Sequence, residues 1–364
     1  MMEFNDLDMR TVKERINMAQ IWEAWREADK VRRHSFLGSM HWERRGHKQY
    51  LCLRKGRTVK SLGPRSGETE IVFAAFRQGK EDNANRLKSL GDEIGRQAAI
   101  LRALRAGRLP ETAAKTLRAL DAHGKRTGLR VVGTNALYAY EDMTGVTFGA
   151  DATATEDMDF PVDDRNRLKF VMEDGDPTGL ARLVQAKVDR TFRPRRAGDF
   201  RLTNDAGYMI EFVRPQPNPA WKKRPGENPI EEGDVAPAPI AGLQWLVNAP
   251  AVDAMVLDDR GFPVPMRCPD PRFWALHKLW MSRREDRQPF KKARDASQGH
   301  AVTRLVLERL PHLPFDGDFL GKLPRELREA VPGPDLQTGS GGESRGADPF
   351  ALPDPARPPS PFDT

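Results

Sequence analysis

Between Gly133 and Phe160 the chain reads GTNALYAYEDMTGVTFGADATATEDMDF, and its last four residues alternate two carboxylates with two large apolar side chains. A strand has a side-chain period of two, so Asp157 and Asp159 share one face while Met158 and Phe160 share the other. The apolar pair then points into a core. The acids stand side by side, roughly 6–7 Å apart along the strand. Without a partner, parallel carboxylates repel and one is driven towards its protonated form. A divalent cation relieves that repulsion. The pattern therefore commits this part of the chain to a sheet with packing on one side and a charged site on the other. Ahead of it, Gly133-Thr134-Asn135 is a polar turn that opens a short helix-like segment, Ala136 to Glu141.

A third acid fits the same arrangement. Tyr208 to Val213 reads as a strand from its aromatic and β-branched content, yet carries Glu211 at its centre. Met209, Glu211 and Val213 share a face, and a Glu set among apolar neighbours costs several kcal/mol to bury unless it is paired or bound to metal. Asp157, Asp159 and Glu211 on neighbouring strands would form an oxygen cluster of the kind Mg²⁺ (or Mn²⁺) accepts, leaving positions for water and substrate phosphates. An isolated D-x-D is more often a turn or a solvated strand face. The upstream turn and the acid in an apolar strand distinguish this one.

Together these residues resemble the nucleotidyltransferase superfamily, the polymerase-beta-like fold. Its pattern is a glycine turn opening a helix, an alternating Asp pair on the next strand and a third acid on a later one. The Gly-Thr-x-Ala-Leu wording, with Thr155 two residues before the first Asp, is most similar to bacterial nucleotidyltransferase-like proteins related to abortive-infection antitoxins. The core of the resemblance covers Leu129 to Pro215. It implies an α+β chain with a mixed nucleotidyltransferase-fold sheet, flanked by an N-terminal helical region and a C-terminal helical domain. It also implies that Asp157, Asp159 and Glu211 are catalytic and metal-binding, and that Gly133, Thr134 and Asn135 hold the donor's phosphates. The wording Ala275-Leu276-His277-Lys278-Leu279, with Lys291-Lys292-Ala293-Arg294-Asp295 and Gln298 beyond it, resembles the C-terminal helical part and makes Lys278 and Lys292 further phosphate contacts. For His277 the favoured expectation is a satisfied structural histidine. The turn departs from the commoner Gly-Ser, and the third acid is Glu where Asp is usual.

In chain order, the apolar spacing from Thr11 to Arg33 predicts an amphipathic helix, with Trp22 and Trp25 in its packed stripe. Gln49–Arg54 and Thr58–Leu62 read as a hairpin with a basic tip at Lys55-Gly56-Arg57, usable for gripping phosphates or simply a solvated face. Glu81–Arg105 and Leu109–Lys125 are expected to form a helical hairpin bracing the sheet. Leu129–Val132 is expected to be a short strand, Thr178–Val188 a helix, and Phe200–Val213 a hairpin about Asn204-Asp205-Ala206-Gly207. Pro215–Pro239 reads as a surface loop. Leu243–Leu257 and Phe262–Met266 are expected as strands, followed by a helix opened by Pro269-Asp270-Pro271. Domain boundaries are placed at 1–126, 127–267 (with 215–239 linker-like), 268–330 and a disordered tail at 331–364.

The formal charge is +7, which suits an anionic partner. Two distant cysteines, Cys52 and Cys268, indicate neither a disulfide framework nor a zinc site. No apolar run is long enough to span a bilayer, and the N-terminus lacks a signal-peptide core, so the expected location is cytoplasmic. The expected function is Mg²⁺-dependent transfer of a nucleoside monophosphate from a nucleoside triphosphate to a hydroxyl of RNA, a protein or a small molecule. The alternative is a non-catalytic binding or regulatory protein on the same fold, nucleic-acid binding or antitoxin-like with a toxin partner.

Overall fold

The computed structural model describes residues 3–123, 129–153, 155, 157–161, 170–171, 177–217 and 234–331. The expectations for the tail beyond 331, for 218–233 of the proline-rich stretch and for 124–125 of the second long helix fall outside them, as does Glu156.

Strand β1 (Phe4–Asp6) leads into helix α1 (Met9–Ser35), whose first amides donate to the Asp8 carboxylate. Three antiparallel strands follow, β2 (Ser39–Arg45), β3 (Lys48–Lys55) and β4 (Thr58–Pro64). The expected hairpin thus gains a third strand. Helix α2 (Gly67–Ala103) starts at a reciprocal Ser66/Thr69 capping box, well before the expected Glu81. It packs along α1, not against the next helix, α3 (Glu111–His123). The reason is the stripe Ile94, Ala98 and Leu101, which closes over Met18, Trp22 and Trp25 of α1. The expected α2–α3 hairpin is replaced by an α1–α2 pair.

Leu129–Val132 is not a strand. Its amides are split between two partners, Val131 to the Arg267 carbonyl (2.8 Å) and Val132 to that of Asp159 (3.3 Å), so no ladder forms. Helix α4 (Ala136–Thr144) ends at Gly145 (φ +68°), and β5 (Val146–Phe148) turns back to pair with β1. After α5 (Ala150–Thr153) comes β6 (Asp157–Pro161), then the short pair β7 (Phe170–Val171) and β8 (Pro177–Thr178). Helix α6 (Leu180–Lys187) occupies the expected place. It precedes β9 (Arg193–Pro194), β10 (Arg201–Thr203) and β11 (Met209–Pro215).

Strand β11 is the hub of a five-stranded mixed sheet, antiparallel to β10 and parallel to both β6 and β12 (Ala238–Ile240). The proline-rich stretch is therefore not surface loop throughout. Its end forms β12, and Asp234 is buried because its carboxylate accepts from the Leu180 and Ala181 amides at the start of α6. Leu243–Asn248 is helix α7, not strand; its buried residues Leu243 and Leu246 have helical spacing, which a short apolar run does not distinguish from a strand. Strands β13 (Ala251–Leu257) and β14 (Pro263–Pro269) form a hairpin around the expected turn. Four helices complete the described chain: α8 (Pro271–Arg283), capped by Asp270, then α9 (Pro289–Arg309), α10 (Gly317–Gly321) and α11 (Arg325–Arg328). The main core gathers Met158, Phe160, Ile210 and Phe212 from the sheet with Tyr140 of α4 and Trp274 of α8.

Candidate active site

Strands β6 and β11 lie parallel and in register, Met209 opposite Asp157 and Glu211 opposite Asp159. Neighbouring strands are about 4.8 Å apart, so Glu211 stands beside the aspartate pair. Met158 and Phe160 are fully buried on the other face, with the Phe160 ring stacked 6.0 Å from that of Phe212. This packing fixes the direction of the acids: turning them inward would expel two core side chains.

The crowding has an electrostatic cost. Asp159 is pushed up to about 7, first by burial and then by the charges of Asp157 and Glu211, against an opposing pull from Lys278 and Arg287. Glu211 is also raised, by burial first; Arg201 and Lys291 oppose this while Asp157 adds to it. Tyr208 is raised by burial and by the same aspartates. Arg201 sits directly across the β10–β11 ladder from Glu211, with Nη2 3.1 Å from Oε1. The Thr155 hydroxyl donates to Asp157.

The glycine turn is pressed against this group. A Cβ at Gly133 would collide with the Asp159 carboxylate, so only glycine brings the backbone this close. Trp274 Nε1 donates to the Val132 carbonyl at 2.6 Å and Asn135 Nδ2 to the Asp157 carbonyl at 2.7 Å, tying the turn to both α8 and β6. From α9, Gln298 Nε2 donates to the Ala152 carbonyl (2.7 Å) and to the Thr134 hydroxyl (3.4 Å). Thr134 and Asn135 are both buried, and among the described residues the side-chain oxygens of Asn135 and Gln298 have no hydrogen-bond partner.

The lysines are placed differently from one another. Lys278 Nζ is 2.9 Å from Asp295, which also holds Arg287 at 2.7 Å, and it lies 5.3 Å from the centre of the Trp274 ring. Burial pushes the Asp295 carboxyl up, but the two cations overrule it and hold it below the usual range. Lys292 is partly exposed in the first turn of α9, and its neighbour Lys291 is the one whose charge reaches Glu211. His277 is buried against Trp245 and Trp280, and burial followed by the Lys278 charge pulls it down to about 3, so it stays neutral.

Arg201 and Arg287 were given no place in the site by the sequence, while Lys291 and Gln298 lay within the family-like wording of α9 without an assigned role. The turn read from the sequence, Asn204–Gly207, would pair 203 with 208 and 201 with 210; the observed connection is one residue longer, with 203 opposite 209, and that shift is what brings Arg201 opposite Glu211. Among the described residues no three His, Cys, Asp or Glu side chains converge in metal-ligating geometry. Even so, the donor set suits Mg²⁺, which needs only one or two carboxylates alongside water and phosphate oxygens. Burial and, after it, the neighbouring charges of Asp157 and Glu211 raise Asp159, and a cation would offset both.

A mixed sheet carrying alternating acids beside a third acid, with a glycine turn closed over them, is the layout of an α+β nucleotidyltransferase. A nucleotidyltransferase family profile matches residues 111–321, more than half of the 364, and the chain belongs to that family. No curated protein matches the chain. No solved structure matches it either. No described helix is long and apolar enough to cross a membrane.

Proposed function

We propose that the chain is a Mg²⁺- or Mn²⁺-dependent enzyme that moves a nucleoside monophosphate from a nucleoside triphosphate to a hydroxyl acceptor on RNA, a protein or a small molecule. The observation that carries this reading is the half-buried Asp159, crowded by Asp157 and Glu211 directly under the Gly133 turn. Asp157 and Asp159 would hold the cation, with Glu211 joining once turned from Arg201. A bound cation supplies charge neutralisation for the phosphates and the acids together.

The remaining work belongs to the chain. The missing side chain at Gly133 makes room for the Asp159 carboxylate against the turn, and the start of α4 favours a phosphate's negative charge there. Asn135 and Gln298 hold the turn still. Glu211, its affinity for a proton raised, orients the acceptor hydroxyl and takes its proton. The acceptor oxygen forms a bond to the α-phosphorus as the bond to pyrophosphate breaks. Lys278 and Arg287, clasped by Asp295, keep positive charge behind Asp159, while Lys292 at the start of α9 meets the departing pyrophosphate.

Incubation with each α-labelled nucleoside triphosphate, Mg²⁺ and a cell extract tests the reading. Label should pass to an acceptor with release of pyrophosphate, and Asp157→Asn or Asp159→Asn should lower the rate by roughly a hundredfold or more. A folded Asp159→Asn protein working at full rate would falsify it. The ion pairs Arg201–Glu211 and Lys278–Asp295 favour a second reading, a binding protein whose site charges are already satisfied. That protein would release no pyrophosphate with any acceptor.

A further inference from the structure

The charge of the molecule is concentrated in one place. Residues 39–65, which make β2, β3 and β4, hold eight Lys and Arg against one acid, Glu43. The other 337 residues hold 51 basic and 51 acidic side chains, so the whole net charge of +7 resides in this small sheet. All eight basic side chains are exposed. The sheet lies outside the part of the chain matched by the nucleotidyltransferase family, so the family's activity does not account for it.

Its two faces differ. Trp42 packs on Phe73 of α2, with ring centres 5.7 Å apart, so the Trp42 side is the inner one. By strand alternation and register, His41, Glu43, Arg45, Lys48, Tyr50, Cys52 and Arg54 belong to the outer face, where Glu43 pairs Arg45 at 3.3 Å and, among the described residues, leaves Lys48 and Arg54 as uncompensated cations. Arg45 lies 5.6 Å over the half-buried Tyr50 ring. Six of the eight basic residues are at the two hairpin tips, Arg44, Arg45 and Lys48 at one and Arg54, Lys55 and Arg57 at the other; of these Arg44 and Lys55 alternate onto the Trp42 side. An eight-residue β3 separates the tips by about 25 Å.

We propose that the outer face of this sheet binds a single-stranded nucleic acid, its phosphates held at the two basic tips and a base stacked on Tyr50. Cations spaced along a strip with an aromatic platform between them are the requirements for holding a flexible phosphodiester strand. A small anion would use one tip and leave the other idle. The surface goes beyond nucleotide transfer and does not depend on it: it is read by binding in the absence of any nucleoside triphosphate.

The test is fluorescence anisotropy of the full chain with labelled 20-nucleotide single-stranded RNA and DNA, with duplexes and with heparin as a competitor, over a salt series. Both strand types should bind, and log affinity should fall with log salt, by a slope of about 0.7 for each phosphate held. The triple reversal Arg45→Glu, Lys48→Glu, Arg54→Glu, which touches the outer face at both tips, should weaken binding at least tenfold and flatten the slope. Tyr50→Ala should weaken binding with the slope unchanged. Thermal melts establish that each variant is folded. The charge-matched control Lys187→Glu, Lys322→Glu, Arg325→Glu should keep most of the affinity. A preference for RNA over DNA, or the reverse, identifies the source of the strand. The proposal is overturned by absent binding, by duplex-only binding, by a heparin affinity that no oligonucleotide exceeds, or by equal losses in the control.

Discussion

Because Asp159 ionises only near pH 7, the stability of the cation-free protein varies with pH through this residue. Its ordinary value is near 4, so between about pH 4 and 7 the folded state binds the proton and the unfolded state does not. The stabilisation is complete below pH 4 and is lost as pH rises through 7, by roughly 4 kcal/mol at most. Thermal melts in chelator should therefore show a fall in Tm from pH 5 to pH 8, and Asp159→Asn should reduce that fall and melt higher than the parent at pH 8. An unaltered fall in the variant rejects the assignment. Glu141, also raised to about 7 chiefly by burial, contributes with the same sign and leaves a residual slope. His277 acts in the opposite direction. Its depressed value means the unfolded chain takes up a proton near 6.5 that the fold refuses, so stability is lost as pH falls from 6.5 towards 3. His277→Gln should remove part of the acid-side loss in the same melts. Mg²⁺ should raise Tm at pH 8 in the parent and much less in Asp159→Asn.

At the scale of elements, α8 and α9 are joined across their connecting turn by Asp295, which holds Lys278 of α8 and Arg287 of the turn. Removing Asp295 leaves a nearly buried lysine without its carboxylate, so Asp295→Ala should destabilise by about 3–5 kcal/mol, measured by denaturant unfolding. Lys278→Met keeps the volume and leaves Arg287 to pair Asp295, so it should cost far less. It should also raise the pH at which Asp159 ionises, because Lys278 is the first of the charges holding that value down. This clasp was not legible in the sequence: a lysine and an aspartate seventeen positions apart are indistinguishable from two solvated charges until helix packing buries them. The acid cluster was legible, because Met158 and Phe160 fix the face of Asp157 and Asp159 through a period of two, and Glu211 stood out within an apolar strand. Elements that depended on partner choice were not. The stripes of α1, α2 and α3 are chemically alike, so only packing shows that α2 pairs with α1. Strand β2 alternates only over Met40 and Trp42 before the charged run Glu43-Arg44-Arg45, too short a signal to mark a strand. Leu243–Asn248 is too short and too apolar for its period to decide between helix and strand.

Across the whole molecule, the family-matched part is not closed by its own residues. Strand β1 pairs with β5 and sets Phe4 edge-on against Phe148, 6.1 Å between ring centres. Arg15 of α1 bonds the largely buried Asp142 of α4, whose other oxygen accepts from the Met255 amide at 3.1 Å. Leu257 of β13 is buried among Met18, Ala98 and Leu101. A chain beginning at residue 111 would thus expose Phe148 and Leu257 and leave Asp142 short of its cation, losing apolar burial and a paired charge together. By contrast, the basic sheet joins α1 to α2 and packs on the Phe73 end of α2, away from the site, while Phe36 at the end of α1 already touches Phe76 of α2, 5.9 Å between ring centres. Replacing residues 39–65 with a short Gly/Ser linker removes the sheet's entire excess charge yet leaves the α1–α2 pair and every acid of the site in place. In matched melts, the linker version should keep a cooperative transition and any Tm increase caused by nucleoside triphosphate with Mg²⁺. The 111–331 piece should show neither, and a cooperative melt of that piece at the parent's Tm would show that α1 and α2 contribute nothing to closing the core.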